Sequence, residues 1–174
     1  MAGVTVVPGP APAVAALFGD GTHPATRLAR ATLLEIVRRR PGVRVLDVGT
    51  GTGVLARAAL EAGAGVVVGI DCASAAVDVA RAHVPGATFV VADARDYLEQ
   101  HGGAFDVVVA NLPDPPLVGL VPDLAAAARP GGTLIVTGVR LWQAEAVSRS
   151  LARAGTAPSS LQAEGGWATF VVDC

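Results

Sequence analysis

The run Val43-Arg44-Val45-Leu46-Asp47-Val48-Gly49-Thr50-Gly51-Thr52-Gly53 restricts the fold of this chain more than any other stretch. Val43 to Val48 is apolar apart from Arg44 and Asp47, the pattern of a parallel strand covered on both faces. It stops abruptly in three alternating glycines. Gly49, Gly51 and Gly53 let the backbone turn sharply and let a ligand come within contact distance, which a Cβ would obstruct. A helix over roughly Thr52 to Ala62 follows, and its start is expected to offer free amide donors. Nucleotide-like ligands bind at such strand, loop and helix junctions.

Spacing separates the ligand classes. The dinucleotide fingerprint G-x-G-x-x-G needs a glycine at position 54, where this chain has Val54. The sequence reads D-x-G-x-G-x-G instead, with Asp47 two residues before the first glycine. This resembles motif I of the class I S-adenosylmethionine (SAM) methyltransferases, in which the acid helps place the methionine end of the cofactor. The remaining readings are another nucleotide or a tight structural turn.

At 174 residues the chain has the length of one domain with one site. No unbroken apolar run is long enough to span a bilayer, and Met1 to Phe18 lacks a basic region of the signal-peptide kind, so no membrane role and a cytoplasmic location are expected. A formal charge of −2 gives no footprint for nucleic acid. The Arg38-Arg39-Arg40 cluster reads as a solvated helix end. All 13 basic side chains other than histidine are arginines, which excludes a P-loop lysine, a Schiff-base lysine and the tyrosine-lysine pair of short-chain reductases. The two cysteines, Cys72 and Cys174, have no metal-binding spacing, so no metal is expected.

Residues 1–17 form a Pro- and Ala-rich arm, and the domain proper runs over 18–174. Phe18 to Thr26 is a polar glycine-bearing loop in which Thr22 or Thr26 would cap the next helix. That helix, Thr26 to Arg39, carries Leu28, Ala31, Thr32, Leu34 and Ile36 near one side. Val66 to Ile70 is a second buried strand ending at Asp71, placed where a βαβ unit sets a carboxylate over ribose hydroxyls. Ala87 to Ala92 is a third, ending at Asp93, which either accepts from an adenine amine or starts a helix with acids in its first turn. Phe105 to Ala110 is a fourth, ending at Asn111-Leu112-Pro113-Asp114. After a helix over about Val118 to Ala128, Arg129-Pro130-Gly131-Gly132 reads as a turn before a fifth strand, Thr133 to Thr137. A helix over Trp142 to Ala154 and an antiparallel hairpin, Ser160 to Ala163 with Trp167 to Val172, complete the chain. The fold class expected is a Rossmann-like α/β domain: doubly wound, mostly parallel and seven-stranded, with the antiparallel hairpin at its C-terminal end.

Five features line up: Phe18-Gly19-x-Gly21-Thr22-His23-Pro24-x-Thr26, the D-x-G-x-G-x-G loop, a strand-end Asp, a strand-end Asn-x-Pro, and Pro-Gly-Gly before a strand. Together they resemble the PrmA-type methyltransferases, which methylate amino groups of ribosomal proteins. The likeness runs from about Phe18 onward. It implies that Thr26, Gly49, Asp71 and Asn111 contact SAM, with Thr22, His23, Asp47 and Gly51 close by and Cys72, Asp93 and Ala94 on the same cofactor edge. PrmA proper has an N-terminal docking domain, and only about seventeen residues precede the shared loop here. A small-molecule or short-peptide acceptor is therefore expected in place of a ribosomal protein.

The resulting expectation is a SAM-dependent methyltransferase acting at nitrogen and releasing S-adenosylhomocysteine. Asn111 would orient the acceptor amine, Asp114 would pair with a cationic acceptor or serve as base, and His23 would stand by as a base. A homodimer is anticipated as well. The rival readings are a non-catalytic SAM-binding subunit, an O-methyltransferase and an NAD-type reductase.

Overall fold

The computed structural model describes residues 21–112 and 116–174. In chain order its elements are α1 (Pro24–Arg39), β1 (Arg44–Val48), α2 (Val54–Glu61), β2 (Val66–Asp71), α3 (Ser74–His83), β3 (Thr88–Val91), α4 (Ala94–Gln100), β4 (Phe105–Asn111), α5 (Pro116–Ala127), β5 (Ala128–Arg140), a 3-10 turn (Leu141–Gln143), α6 (Ala144–Arg153), β6 (Pro158–Glu164) and β7 (Trp167–Asp173). The seven strands make one sheet in the order β3-β2-β1-β4-β5-β7-β6. Strands β1 to β5 run parallel to one another, and β7 runs antiparallel to both β5 and β6. The order reverses between β1 and β4, so the carboxyl ends of these two strands flank a crevice of the kind in which open α/β sheets hold ligands.

Alternation along the strands builds a core on each face. Val45, Val107, Val109 and Ile135 pack with α1, α2 and α3 on one side. Leu46, Val48, Val108 and Ala110 pack with Leu98 of α4 and with α5 and α6 on the other. The period of two in a strand sends successive side chains to opposite layers, which is why these strands read as continuous apolar runs.

Three local expectations need correction. The buried face of α1 is Ala25, Ala29, Thr32, Leu33 and Val37, while Ala31 is exposed and Leu28, Leu34 and Ile36 are half-buried. Small side chains at 25 and 29 let the helix lie close to the sheet, where the Thr137 hydroxyl donates to the Ala25 carbonyl at 3.1 Å. The Arg129 to Gly132 stretch lies inside β5, because Gly131 donates to the Cys174 carbonyl and Cys174 to the Gly132 carbonyl. His23, not Thr22 or Thr26, caps α1: its Nδ1 accepts from the Ala25 amide at 3.3 Å. The arm at 1–17 and the Pro113-Asp114-Pro115 segment lie outside the described residues.

Candidate active site

At the end of β1 the backbone turns through Gly49, Gly51 and Gly53, whose φ values of 72°, 54° and 82° fall in the left-handed region that side chains disfavour. A Cβ on Gly49 would also run into the Leu112 side chain beyond β4. The loop's amides are engaged within the protein. Gly49 and Thr50 both donate to the Ile70 carbonyl at 2.9 Å, Gly53 donates to Thr50, and Gly51 donates to the Asp71 carboxylate at 3.0 Å. Even at the start of α2, the Ala56 amide donates to Asp47 at 3.1 Å. The expectation of a helix start rich in free donors is thus overturned at Ala56. A phosphate-binding loop needs its amides turned outward; here the named amides point at internal acceptors, and the ligand side of the loop carries carboxylate oxygens.

Asp47 is the centre of this arrangement. It is 1% exposed, and its Oδ2 accepts from the Thr50 hydroxyl at 2.7 Å as well as from Ala56. Its Oδ1 is buried without a hydrogen-bond partner among the described residues. Burial pushes the carboxyl up to about 6; the bonds from Thr50 and Ala56 pull it down in part, and the nearby Asp71 charge adds to the rise. An unpaired acceptor at a buried position is costly unless a ligand donates to it.

Asp47 lines a cleft together with Gly21, Thr26, Gly49, Thr50, Thr52, Val54, Leu55 and Asn111. Thr26, Asp47, Gly49 and Asn111 are expected there from the sequence; Gly21 and Val54 are read in their motifs without a place at the site, and Thr50, Thr52 and Leu55 are given none. Thr50 and Thr52 alternate with the loop glycines, and that alternation was the available signal. Asn111 is oriented by α1: its Nδ2 donates to Thr26 Oγ1 at 3.0 Å. The opposite atom, Oδ1, lies against Gly138, where a Cβ would stand 2.9 Å away. The amide is thus held between Thr26 and Gly138 at the end of β4, its O and N placement being an assignment because a threonine hydroxyl pairs with either atom.

Asp71 has both carboxylate oxygens engaged, Oδ2 by Gly51 and Oδ1 by the Ala73 amide at 2.9 Å. It latches the glycine loop to β2, a role not anticipated, and each oxygen keeps a further lone pair for a hydroxyl. Asp93 is a helix cap, its Oδ1 accepting from Arg95 at 2.8 Å and Asp96 at 3.3 Å, so the helix-start reading describes it. Cys72, exposed, and Ala94, half-buried, follow these acids at the same carboxyl edge, outside the cleft lining. Thr22 and Gly51 also stand outside that lining, and Asp114 is not among the described residues. His23 is exposed, with its ring edge-to-face on Trp167 at 4.5 Å. His83 and His101 bond to the carbonyls of Val79 and Tyr97 on their own helices. No group of three or more His, Cys, Asp or Glu able to hold a metal occurs among the described residues.

A sheet of this order, with a glycine turn, a cleft and strand-end acids along one carboxyl edge, defines the class I SAM-dependent methyltransferase domain. Within that class the chain belongs to the family described as ribosomal protein L11 methyltransferase (PrmA), whose family model matches residues 11–173. It is 39% identical over 156 residues to the ribosomal protein L11 methyltransferase of Symbiobacterium thermophilum, covering 88% of this chain and 50% of that protein. The chain spans about half the length of the curated relatives it matches. Among solved structures, a ribosomal protein L11 methylase from Lactobacillus delbrueckii subsp. bulgaricus superimposes with a TM-score of 0.79 at 26% identity, covering 88% of this chain and 80% of that one. A SAM-dependent methyltransferase from Mesorhizobium loti shares the fold, with a TM-score of 0.65 at 18% identity over 83% of this chain and 96% of that one.

Proposed function

We propose that this chain binds SAM in the carboxyl-edge cleft and transfers its methyl group to an amine nitrogen. The observation that carries the reading is the cleft itself, lined by Asp47, Gly49, Thr26 and Asn111, with a buried and incompletely paired carboxylate in its wall. A cationic ligand in the cleft offsets the charge of this buried carboxylate, whereas a phosphate would be repelled by it. Asp47, Asp71 and the Gly49 to Gly53 turn would hold the cofactor, with Thr26 at its side. SAM supplies an already activated sulfonium methyl, so most of the acceleration falls to holding donor and acceptor in contact.

Asn111 gives the acceptor its direction. With Nδ2 held by Thr26, Oδ1 accepts an N–H of a neutral amine and aims the nitrogen lone pair into the cleft. Such an amine needs no strong base. A hydroxyl acceptor would need one, and His23 Nδ1, one of the candidates, is occupied as the cap of α1. Nitrogen is favoured on that ground.

The acceptor proposed is a small amine or the amine of a short peptide. The names of the relatives favour a second reading, in which the acceptor is an amino group of ribosomal protein L11. Labelled SAM incubated with separate pools of amine metabolites, lysine-containing peptides and intact L11 distinguishes the two. Label in either small pool supports the first reading, and label in L11 alone supports the second. Tight SAM binding with no pool labelled would instead indicate a SAM-binding subunit.

A further inference from the structure

Beyond Asn111 the edge of the sheet carries a second set of side chains that the methyl-transfer reading leaves unused. Arg140, the last residue of β5, lies over the Trp167 ring with its guanidinium carbon 3.8 Å from the centroid. On the strand register Asn111 pairs with Thr137 and Arg140 with Trp167. The register shifts at Gly138 between these two pairs, and the Trp167 ring beneath Arg140 meets His23 edge-to-face at 4.5 Å, just ahead of the helix whose Thr26 holds Asn111, so Arg140 stands on the same side of the domain as the cleft.

Its neighbours make it a prepared cation. Arg27, on the adjoining turn of α1, is paired with Glu164, whereas Arg140 makes no ion pair among the described residues. Contact with the Trp167 ring restricts the guanidinium, so less rotamer freedom is lost when a carboxylate pairs with it. The following turn is held by Leu141 donating to the Gly166 carbonyl at 3.1 Å and by Arg140 donating its amide to Gln143 Oε1 at 2.9 Å. That turn leaves Trp142 78% exposed and Leu141 48% exposed, an apolar shelf beside the cation.

We propose that Arg140, held on Trp167 and flanked by Trp142, binds a carboxylate carried by the methyl acceptor, so that the preferred acceptors are amines bearing their own acid group. This rests on the amine reading above and narrows its substrate class. The planar fork of an arginine matches a carboxylate with two parallel bonds, and an ordered fork adds selectivity as well as attraction.

The chain has two tryptophans, Trp142 and Trp167, and both lie at this rim, so intrinsic fluorescence reports on it. Lysine and lysinamide, an amine with and without a free carboxylate, are titrated into the protein with and without S-adenosylhomocysteine. Lysine is expected to reach half-saturation at a concentration at least about tenfold lower than lysinamide, the size of one net charge-assisted contact. The net charge of −2 favours the more cationic lysinamide, so the opposite preference reads Arg140 locally. Arg140→Gln should erase the difference and Arg140→Lys should keep part of it, with melting curves showing that both fold. Equal titrations in the wild type, or an unchanged preference in Arg140→Gln, would overturn the assignment. S-adenosylhomocysteine heats measured in parallel separate the two failures: heat without acid preference removes the Arg140 site alone, and absence of heat removes the SAM reading.

Discussion

Two buried aspartates at opposite ends of the sheet show how this domain divides its work. Asp106, 5% exposed near the amino end of β4, accepts the Arg44 amide at 2.7 Å on Oδ2, and its Oδ1 faces Arg129 and Arg40. Asp47, 1% exposed at the carboxyl end of the adjacent β1, has only neutral donors and leaves Oδ1 unpaired. The first is satisfied by its own chain and holds the strands and the neighbouring turns together. The second bears the cost of burial, which raises its carboxyl to about 6. An orphaned acceptor at one end beside a fully paired one at the other supports the proposal that the carboxyl end is the binding end.

The largest expected effect breaks the paired end. Asp106→Ala strips the acceptor from the Arg44 amide and from the partly exposed Arg40 and Arg129 and should cost up to about 3 kcal/mol of folding stability, chiefly because the Arg44 amide is left without an acceptor. Urea unfolding measures it, and the folded fraction should still bind SAM with wild-type affinity. A variant that keeps full stability would show that the arginines find other acceptors.

At the binding end the effect has the opposite sign. The Asp47 carboxyl has an ordinary value of 3.8 and is raised to about 6 in the fold, chiefly by burial. Between those values the folded protein holds a proton that the unfolded chain has released. Stability from this group is therefore fully present below about pH 4 and is lost as pH rises through about 6, by at most about 3 kcal/mol. Asp47→Asn lacks this titration, so the difference in stability between wild type and variant should move against the wild type over that window and stay flat above it. Saturating SAM should restore much of the loss to the wild type. A difference independent of pH would mean that Oδ1 has a partner in solution.

The smallest effect sharpens the comparison within the binding end. Thr26→Val removes the oxygen that holds the Asn111 amide and should slow methyl transfer by roughly fivefold, about 1 kcal/mol for one hydrogen bond, while SAM affinity changes less. Equal losses in both would assign Thr26 to the cofactor rather than to Asn111.

Much of this division was legible in the sequence. The apolar strands, the glycine loop and the strand-end polar residues carry local signals, since burial on two faces and left-handed turns each demand particular residue types. What escaped depended on contacts distant in sequence. Thr26 meets Asn111 across 85 positions, and the Asp71 hold on Gly51 exists only because β2 lies beside β1. Arg129 to Gly132 has turn-forming residues but extends β5, because the C-terminal end of the chain supplies its hydrogen bonds. The α1 cap fell to His23, since Pro24 opens the helix immediately after it.

The central claim is that the carboxyl edge of the sheet is a SAM site built on the Gly49 to Gly53 turn. Calorimetric titration of SAM into the wild type and into Gly51→Val tests it most directly, because position 51 has a φ of 54° and donates its amide to Asp71. Valine in that conformation costs about 1–2 kcal/mol locally, small enough for the domain to fold, and it forces the turn away from the cleft. One binding site in the wild type and no measurable heat in a variant with a cooperative melt is the predicted result. SAM binding to Gly51→Val with unchanged affinity would contradict it.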